Sequence, residues 1–371
     1  MNEANIEKLK AFLARTPVLV AHIDTQAKNV IEAAHCERLA KVHTGTPMTE
    51  EERQISALSG EFQKRIETLC PTRAIVVLDR YHDHLDSFQN IDATITSKYL
   101  ARFGNDGSRA KPFVAISIMA YITDAGVYHL GPQEGFQNHI SYVFPEPAYP
   151  SAKAMCAFYL RIPEERIRDD LPFSRAGISR LTLAHEVLGH TTERTVVHRT
   201  NNELRADIAG MTESFRVSAN LHDATFDMLH RNFAELRDFV QNPQKNADSL
   251  TIYGNSIPLK KTFNKLATMP NIHQMDDHSL LALVDATHED IILSDAPLQH
   301  LNVLKSAQAL VHGAQKNDWW HLEELFWENP KRLGDTIAFL ASCMEGYNFF
   351  IKPEAPALKA DYKLPTPKIS P

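Results

Sequence analysis

Cysteine is scarce in this chain: four in 371 residues, at positions 36, 70, 156 and 343, with no C-x-x-C pair. A disulfide framework or a thiolate zinc site is therefore not expected, and free, buried thiols in a reducing compartment are. A basic excess is lacking as well. Lys and Arg number 39 against 46 Asp and Glu, a net charge of -7, which leaves no global positive field for nucleic acid. Long apolar runs are missing. The longest stretches, such as FVAISIMAYI, fall far short of the ~20 residues that a membrane-spanning helix needs. The opening MNEANIEKLKAFLARTPVLVAHID mixes charges and has no apolar core of signal-peptide length. The expectation is a cytoplasmic protein with no membrane span; delivery by a specialised secretion machine would leave no mark of this kind.

What is present is ordinary for a globular protein: 43% hydrophobic and 23% charged residues. The length suits one large domain or two closely joined ones, with a substantial core. Residues 1–72 read as an N-terminal helical region. NIEKLKAFLA and EERQISALSGEFQKRIETL carry apolar residues at three- and four-residue spacing, and Thr49 with Glu52 forms a capping-box pattern between helical runs. From residue 73 the pattern changes. RAIVVLD, KPFVAISIMAYIT, VYHLG and HISYVFP read as strands of a small sheet. Helical periodicity returns near residue 176: SRAGISRLTLAHEVLGHTTERTVV, then NNELRADIAGMTESFRVSANL capped by Asn201 or Asn202, then DATFDMLHRNFAELRDFVQ. Residues 73–350 are thus expected to form an α+β, mostly helical unit with a small central sheet, and 351–371, with five prolines, an extended tail.

One short stretch carries chemistry. HEVLGH, residues 185–190, holds His185, Glu186 and His190. Zinc takes nitrogen and oxygen ligands tetrahedrally, and a catalytic site leaves one position open for water. A glutamate beside the first histidine can take a proton from that water as it attacks a carbonyl. The histidines are five apart, however, and on a regular α-helix they would point about 140° from each other. Both can bind one ion only if a π-bulge absorbs a residue, a distortion frequent at functional sites. Gly189, with the fewest steric limits, is suited to that place.

A third ligand must come from another element. Thirteen residues after His190 the chain reads ELRADIAG, where Glu203 and Asp207 share one helical face. Glu203 can complete the ligand set, and Asp207 can accept a hydrogen bond from the far nitrogen of a ligand histidine. Residue frequencies produce H-E-x-x-x-H by chance in roughly one such chain in twenty, and with E-x-x-x-D on the next helix in roughly one in a hundred. His198 is a rival third ligand; the glycine turn that brings a third histidine round in three-histidine sites is absent, so Glu203 is favoured. For the oxyanion formed at a carbonyl, Tyr253 and His230 are candidate donors, and spacing does not choose between them. DRYHDHLD, residues 79–86, offers His82, Asp83, His84 and Asp86, but without a partner cluster a polar turn is the better reading. NDWWHLEELFW, which holds all three tryptophans, reads as core.

H-E-x-x-G-H followed by E-x-R-A-[DE]-x-x-G resembles the two zinc motifs of dipeptidyl peptidase III, a gluzincin-type zinc metallopeptidase more distantly related to thermolysin. The resemblance spans residues 185–210. It implies a zincin-like fold, zinc bound by His185, His190 and Glu203, Glu186 as the general base, and Asp207 behind a ligand; Arg205, Ala206 and Gly210 match flanking positions. The expected activity is zinc-dependent hydrolysis of a peptide bond in a peptide or protein substrate, with an edge strand within 112–123 pairing with that substrate. Two other classes use overlapping features: a metal enzyme of another kind, such as an amidase or an iron oxygenase with two histidines and a carboxylate, and a helical interaction protein with a non-catalytic histidine cluster.

Overall fold

A computed structural model describes residues 47–71, 73–83, 126–130, 140–146, 149–160, 164–192, 199–218, 221–241, 256–294, 302–307 and 330–352, together with position 309 and a few positions between 90 and 101. Four expected features lie outside these residues: the N-terminal helix NIEKLKAFLA, the strand candidate in 111–123, the tryptophan-rich run and nearly all of the proline-rich tail.

The first described helix, α1 (Glu50–Leu69), begins where the sequence places its cap. The Thr49 hydroxyl accepts from the Glu52 N–H at 3.2 Å, and the Thr49 N–H donates to the Glu52 carboxylate at 2.7 Å. Glu50, Glu51 and Glu52 put negative charge at the positive end of the helix dipole. Leu58, Phe62 and Ile66, at four-residue spacing, are buried.

Three strands follow: β1 (Ala74–Val77), β2 (Gly126–Leu130) and β3 (Ile140–Phe144). They lie in the order β1-β3-β2, with β1 parallel and β2 antiparallel to β3; Val76 faces Tyr142, which faces Tyr128 in turn. Every residue of β1 is buried, as its unbroken AIVV run requires of a strand covered on both faces.

The helices after the sheet are α2 (Ala152–Leu160), α3 (Arg175–Leu183), α4 (Arg199–Val217), α5 (His222–Gln241), α6 (Ser256–Ala267), α7 (Asp277–Leu293) and α8 (Pro330–Phe350). The fold is therefore α+β and mostly helical, with a small sheet. α4 starts at Arg199, so Asn201 and Asn202 sit inside its first turn and do not cap it, a correction to the sequence reading. The apolar periodicity of this helix sets in only at Leu204, so its first turn carries no sequence signature.

α4 is the central element, packed by α3, α5, α6 and α7. Its small residues allow close approach: a methyl on Gly210 would come within 2.9 Å of the Leu181 carbonyl of α3. Glu213, fully buried on α4, is gripped by Arg65 of α1 at 2.8 Å, by Arg180 of α3 at 3.2 Å and by Arg216 at 2.8 Å. Glu61 and Asp277 bind the outer faces of those arginines. Removing one member of such a buried network leaves an uncompensated charge, so it fixes α1, α3 and α4 relative to each other.

Cys156 and Cys343 are buried thiols outside any disulfide, and Cys70 is half-buried. Burial pushes the Cys156 thiol well above its ordinary value. Among the described residues no helix is long and apolar enough to cross a membrane.

Candidate metal centre

α3 runs without a break into a π-helical segment, Ala184–His190. In π geometry hydrogen bonds run from residue i to i+5, so residues five apart stand one above the other. The five-residue histidine spacing, which a regular α-helix would split, is thereby brought to one face. The imidazole centroids of His185 and His190 are 4.9 Å apart and their Nε2 atoms 3.2 Å apart.

Gly189 is needed for a reason beyond backbone freedom. A methyl at this position would fall 2.4 Å from the Ala206 Cα, so the π segment and α4 touch backbone to backbone. Arg205 secures the end of the segment. Its guanidinium, buried, donates to the carbonyls of Gly189 and Leu188 and to the Thr192 hydroxyl, and its Nε lies 2.8 Å from Asp285 of α7. Thr191 and Thr192 donate back to the carbonyls of Val187 and Leu188. Those carbonyls belong to the helix terminus, where intrahelical partners run out.

The close contact with α4 brings Glu203 over the histidines. One carboxylate oxygen is 3.6 Å from His185 Nε2 and the other 3.7 Å from His190 Nε2. Ligand atoms about 2.0–2.1 Å from a tetrahedral zinc lie about 3.3–3.4 Å from one another. The two Nε2 atoms, 3.2 Å apart, are close to that spacing, and Glu203 turns a different oxygen to each imidazole at 3.6 and 3.7 Å. Glu186 lies beside it, 3.9 Å from His185 Nε2, and His185, Glu186 and His190 offer ligand atoms all within 4.8 Å of one another. All four side chains are largely but not wholly buried, with 10–16% exposure.

Asp207, one turn after Glu203, is 1% exposed and lies 2.9 Å from His185 Nδ1. A carboxylate on Nδ1 assigns the proton to that nitrogen and leaves the Nε2 lone pair facing Glu203 and His190. Burial opposes charge on His185, but the bonds to Asp207 and Glu203 outweigh it and hold its pKa well above the ordinary histidine value. Burial also acts to raise the Glu203 pKa, and the histidine partners, His185 foremost, outweigh it and lower it. His185 thus holds a proton in the metal-free protein that a bound cation would displace. A divalent ion fits these residues.

The other expected residues fall elsewhere. His230, on α5, stacks on Phe226 at 5.6 Å and meets Tyr159 edge-on at 5.2 Å, in an aromatic layer that includes Phe173 and Phe350. Tyr253 and His198 lie outside the described residues. In the DRYHDHLD run, His82 Nδ1 pairs with Asp79 at 2.7 Å and Asp83 with Lys98 at 2.7 Å; His84 and Asp86 lie outside the described residues. Two cavities, of about 450 and 400 Å³, are not lined by His185 or His190; the second is bordered by Arg205 and Thr192, behind the π segment.

Sequence reasoning did not anticipate Arg231. Its Nη2 donates to Asp207 at 2.6 Å from α5, and Asp227, one turn earlier, stands 3.8 Å from its Nε. A buried carboxylate at a ligand histidine demands compensation, but nothing in the chain pattern says which element supplies it.

Comparison with protein-family models, with curated proteins and with solved structures finds no match to this chain.

Proposed function

We propose that this protein is a zinc-dependent metallopeptidase that hydrolyses a peptide bond in a peptide or protein substrate. The observation that carries the reading is the convergence of His185 Nε2, His190 Nε2 and the Glu203 carboxylate at 3.2–3.7 Å, with Glu186 beside them. Two imidazoles and one carboxylate are the protein's share of a hydrolytic zinc site. The likeness of HEVLGH and ELRADIAG to the gluzincin motifs supports the same assignment.

His185, His190 and Glu203 would hold the ion. When bound, zinc supplies a Lewis acid that polarises a carbonyl and makes a water acidic near neutral pH. Glu186, close by, accepts the proton of an attacking water and returns it to the leaving amine. Asp207 keeps the His185 ring in one tautomer throughout. β2, an outer strand of the described sheet, runs against the π segment. An extended peptide adding to such an edge would pass close to the histidines.

Two histidines and a carboxylate also form the ligand set of iron(II) oxygenases. The glutamate beside His185 favours hydrolysis, since oxygenase chemistry has no need of a general base there. The test joins metal analysis of the native protein to peptide cleavage by wild type and Glu186→Gln. Zinc at one equivalent, with cleavage lost by about 100–10 000-fold in the variant while the metal stays bound, is the expected result. Iron as the native metal, or cleavage unaffected by Glu186→Gln, would overturn it.

A further inference from the structure

We infer that Arg231 is a positioning residue for the metal centre, acting on His185 through Asp207. This rests on the metal-centre reading and extends it to a helix that supplies no ligand. Asp207 is 1% exposed, and one of its oxygens, Oδ1, serves two donors: His185 Nδ1 at 2.9 Å and Arg231 Nη2 at 2.6 Å. A carboxylate on a single rotatable bond pair, held at one oxygen from two directions, has one orientation. The imidazole it holds then has one orientation too, and its Nε2 faces His190 and Glu203.

The charge of Arg231 matters as much as its geometry. With an ion present, Glu203 and Glu186 balance its two positive charges, and Asp207 would remain as an uncompensated buried anion. Arg231 balances it. Such an anion left alone in a largely buried setting costs several kcal/mol, and the site would relieve that by turning Asp207 away from His185. Asp227, on the same face of α5 and 3.8 Å from the guanidinium, guides Arg231 from the other side. The order of influence therefore runs from α5 to α4 to the π segment, across three elements whose packing is set elsewhere. Arg231 acts through Asp207 and supplies no ligand atom. It decides how firmly His185 is presented.

The experiment measures zinc affinity by chelator competition and the visible absorption bands of the cobalt-substituted protein. It uses wild type, Arg231→Met, Arg231→Lys, Asp207→Asn and the Asp207→Asn/Arg231→Met double variant, with thermal melts as a fold control. Arg231→Met should weaken zinc binding by about 10-fold or more, within the range seen for groups that orient ligands, and should change the cobalt bands. Arg231→Lys, which keeps the charge, should recover part of the affinity. In the Asp207→Asn background the Arg231→Met change should add less than a factor of two, because the residue acts through Asp207. A folded Arg231→Met protein with wild-type affinity and unchanged cobalt bands would overturn the inference, as would full additivity of the two substitutions. If Arg231→Met does not fold, Arg231→Gln takes its place: zinc affinity lowered by about 10-fold or more in Arg231→Gln, with Arg231→Lys between it and wild type, supports the role, whereas Arg231→Gln equal to wild type overturns it. Absence of metal binding by the wild type would remove the metal centre itself, a failure distinct from these.

Discussion

Gly189 on the π segment and Ala206 on α4 leave no room for a methyl group between them: a Cβ built on Gly189 would sit 2.4 Å from the Ala206 Cα and 2.6 Å from its Cβ. This contact lies between His190 and Glu203, the proposed ligands from the two elements. Any side chain at 189 must push α4 away and carry the Glu203 carboxylate off the histidines.

Gly189→Val should therefore destabilise the fold by about 1–3 kcal/mol, the usual range for overpacking, and reduce zinc affinity more than Leu188→Val does. Paired chemical denaturation and metal titration check both effects. Equal metal affinities in the two variants would mean that the helix contact does not control ligand placement.

The third ligand is tested by Glu203→Ala against His198→Ala. Glu203 stands within 3.7 Å of both imidazoles, so its loss should cut zinc affinity severely, while the His198 variant should stay close to wild type. The opposite ranking in a chelator competition would replace the carboxylate by a third histidine. Asp207→Ala should lower zinc affinity by about 10–100-fold and leave a folded protein.

Much of the site was legible in the chain, because its parts are local. The histidine spacing, together with Gly189, called for a π distortion, and the distortion is there. Glu203 and Asp207 announced themselves by their four-residue spacing on one helix. The Thr49–Glu52 cap and strands β1, β2 and β3 were readable for the same reason: each is a pattern within a few residues. The strand order β1-β3-β2 was not, nor was the compensation of Asp207 by Arg231, 24 residues on. Arg205 matched a motif position without revealing that it holds the end of the π segment. These are contacts between elements, and an arginine on an amphipathic helix looks alike whether it faces water or a buried carboxylate.

The Glu213 network separates stability from metal binding. Glu213 is fully buried and bound by three arginines, yet it is nearly three turns from Glu203 along α4. Glu213→Gln should cost about 3–5 kcal/mol, the usual penalty for breaking a buried ion pair. Zinc affinity of the folded fraction should change little. Loss of affinity matching that of Asp207→Ala would show that this network reaches the ligands.

Asp227 gives a pH signature. Burial, aided by the nearby Asp207 charge, pushes its carboxyl up to about 6 from an ordinary 3.8, with Arg231 opposing. A carboxyl whose folded pKa is raised holds its proton more firmly in the folded state than in the unfolded one. Below the unfolded pKa both states are protonated and the group costs nothing. As pH rises from about 4 to about 6 the unfolded state ionises first, so folding stability falls, and above about 6 the whole cost is present, on the order of 2–3 kcal/mol for a shift of this size. Asp227→Asn has no proton to lose. In the metal-free protein it should be more stable than wild type at pH 8, and the difference should shrink steadily as pH falls to 4. Urea unfolding of both proteins across that range checks the sign: a variant that is less stable at pH 8 by the same amount as at pH 4 would mean that Asp227 acts through its contact with Arg231 and not through the cost of its own buried charge.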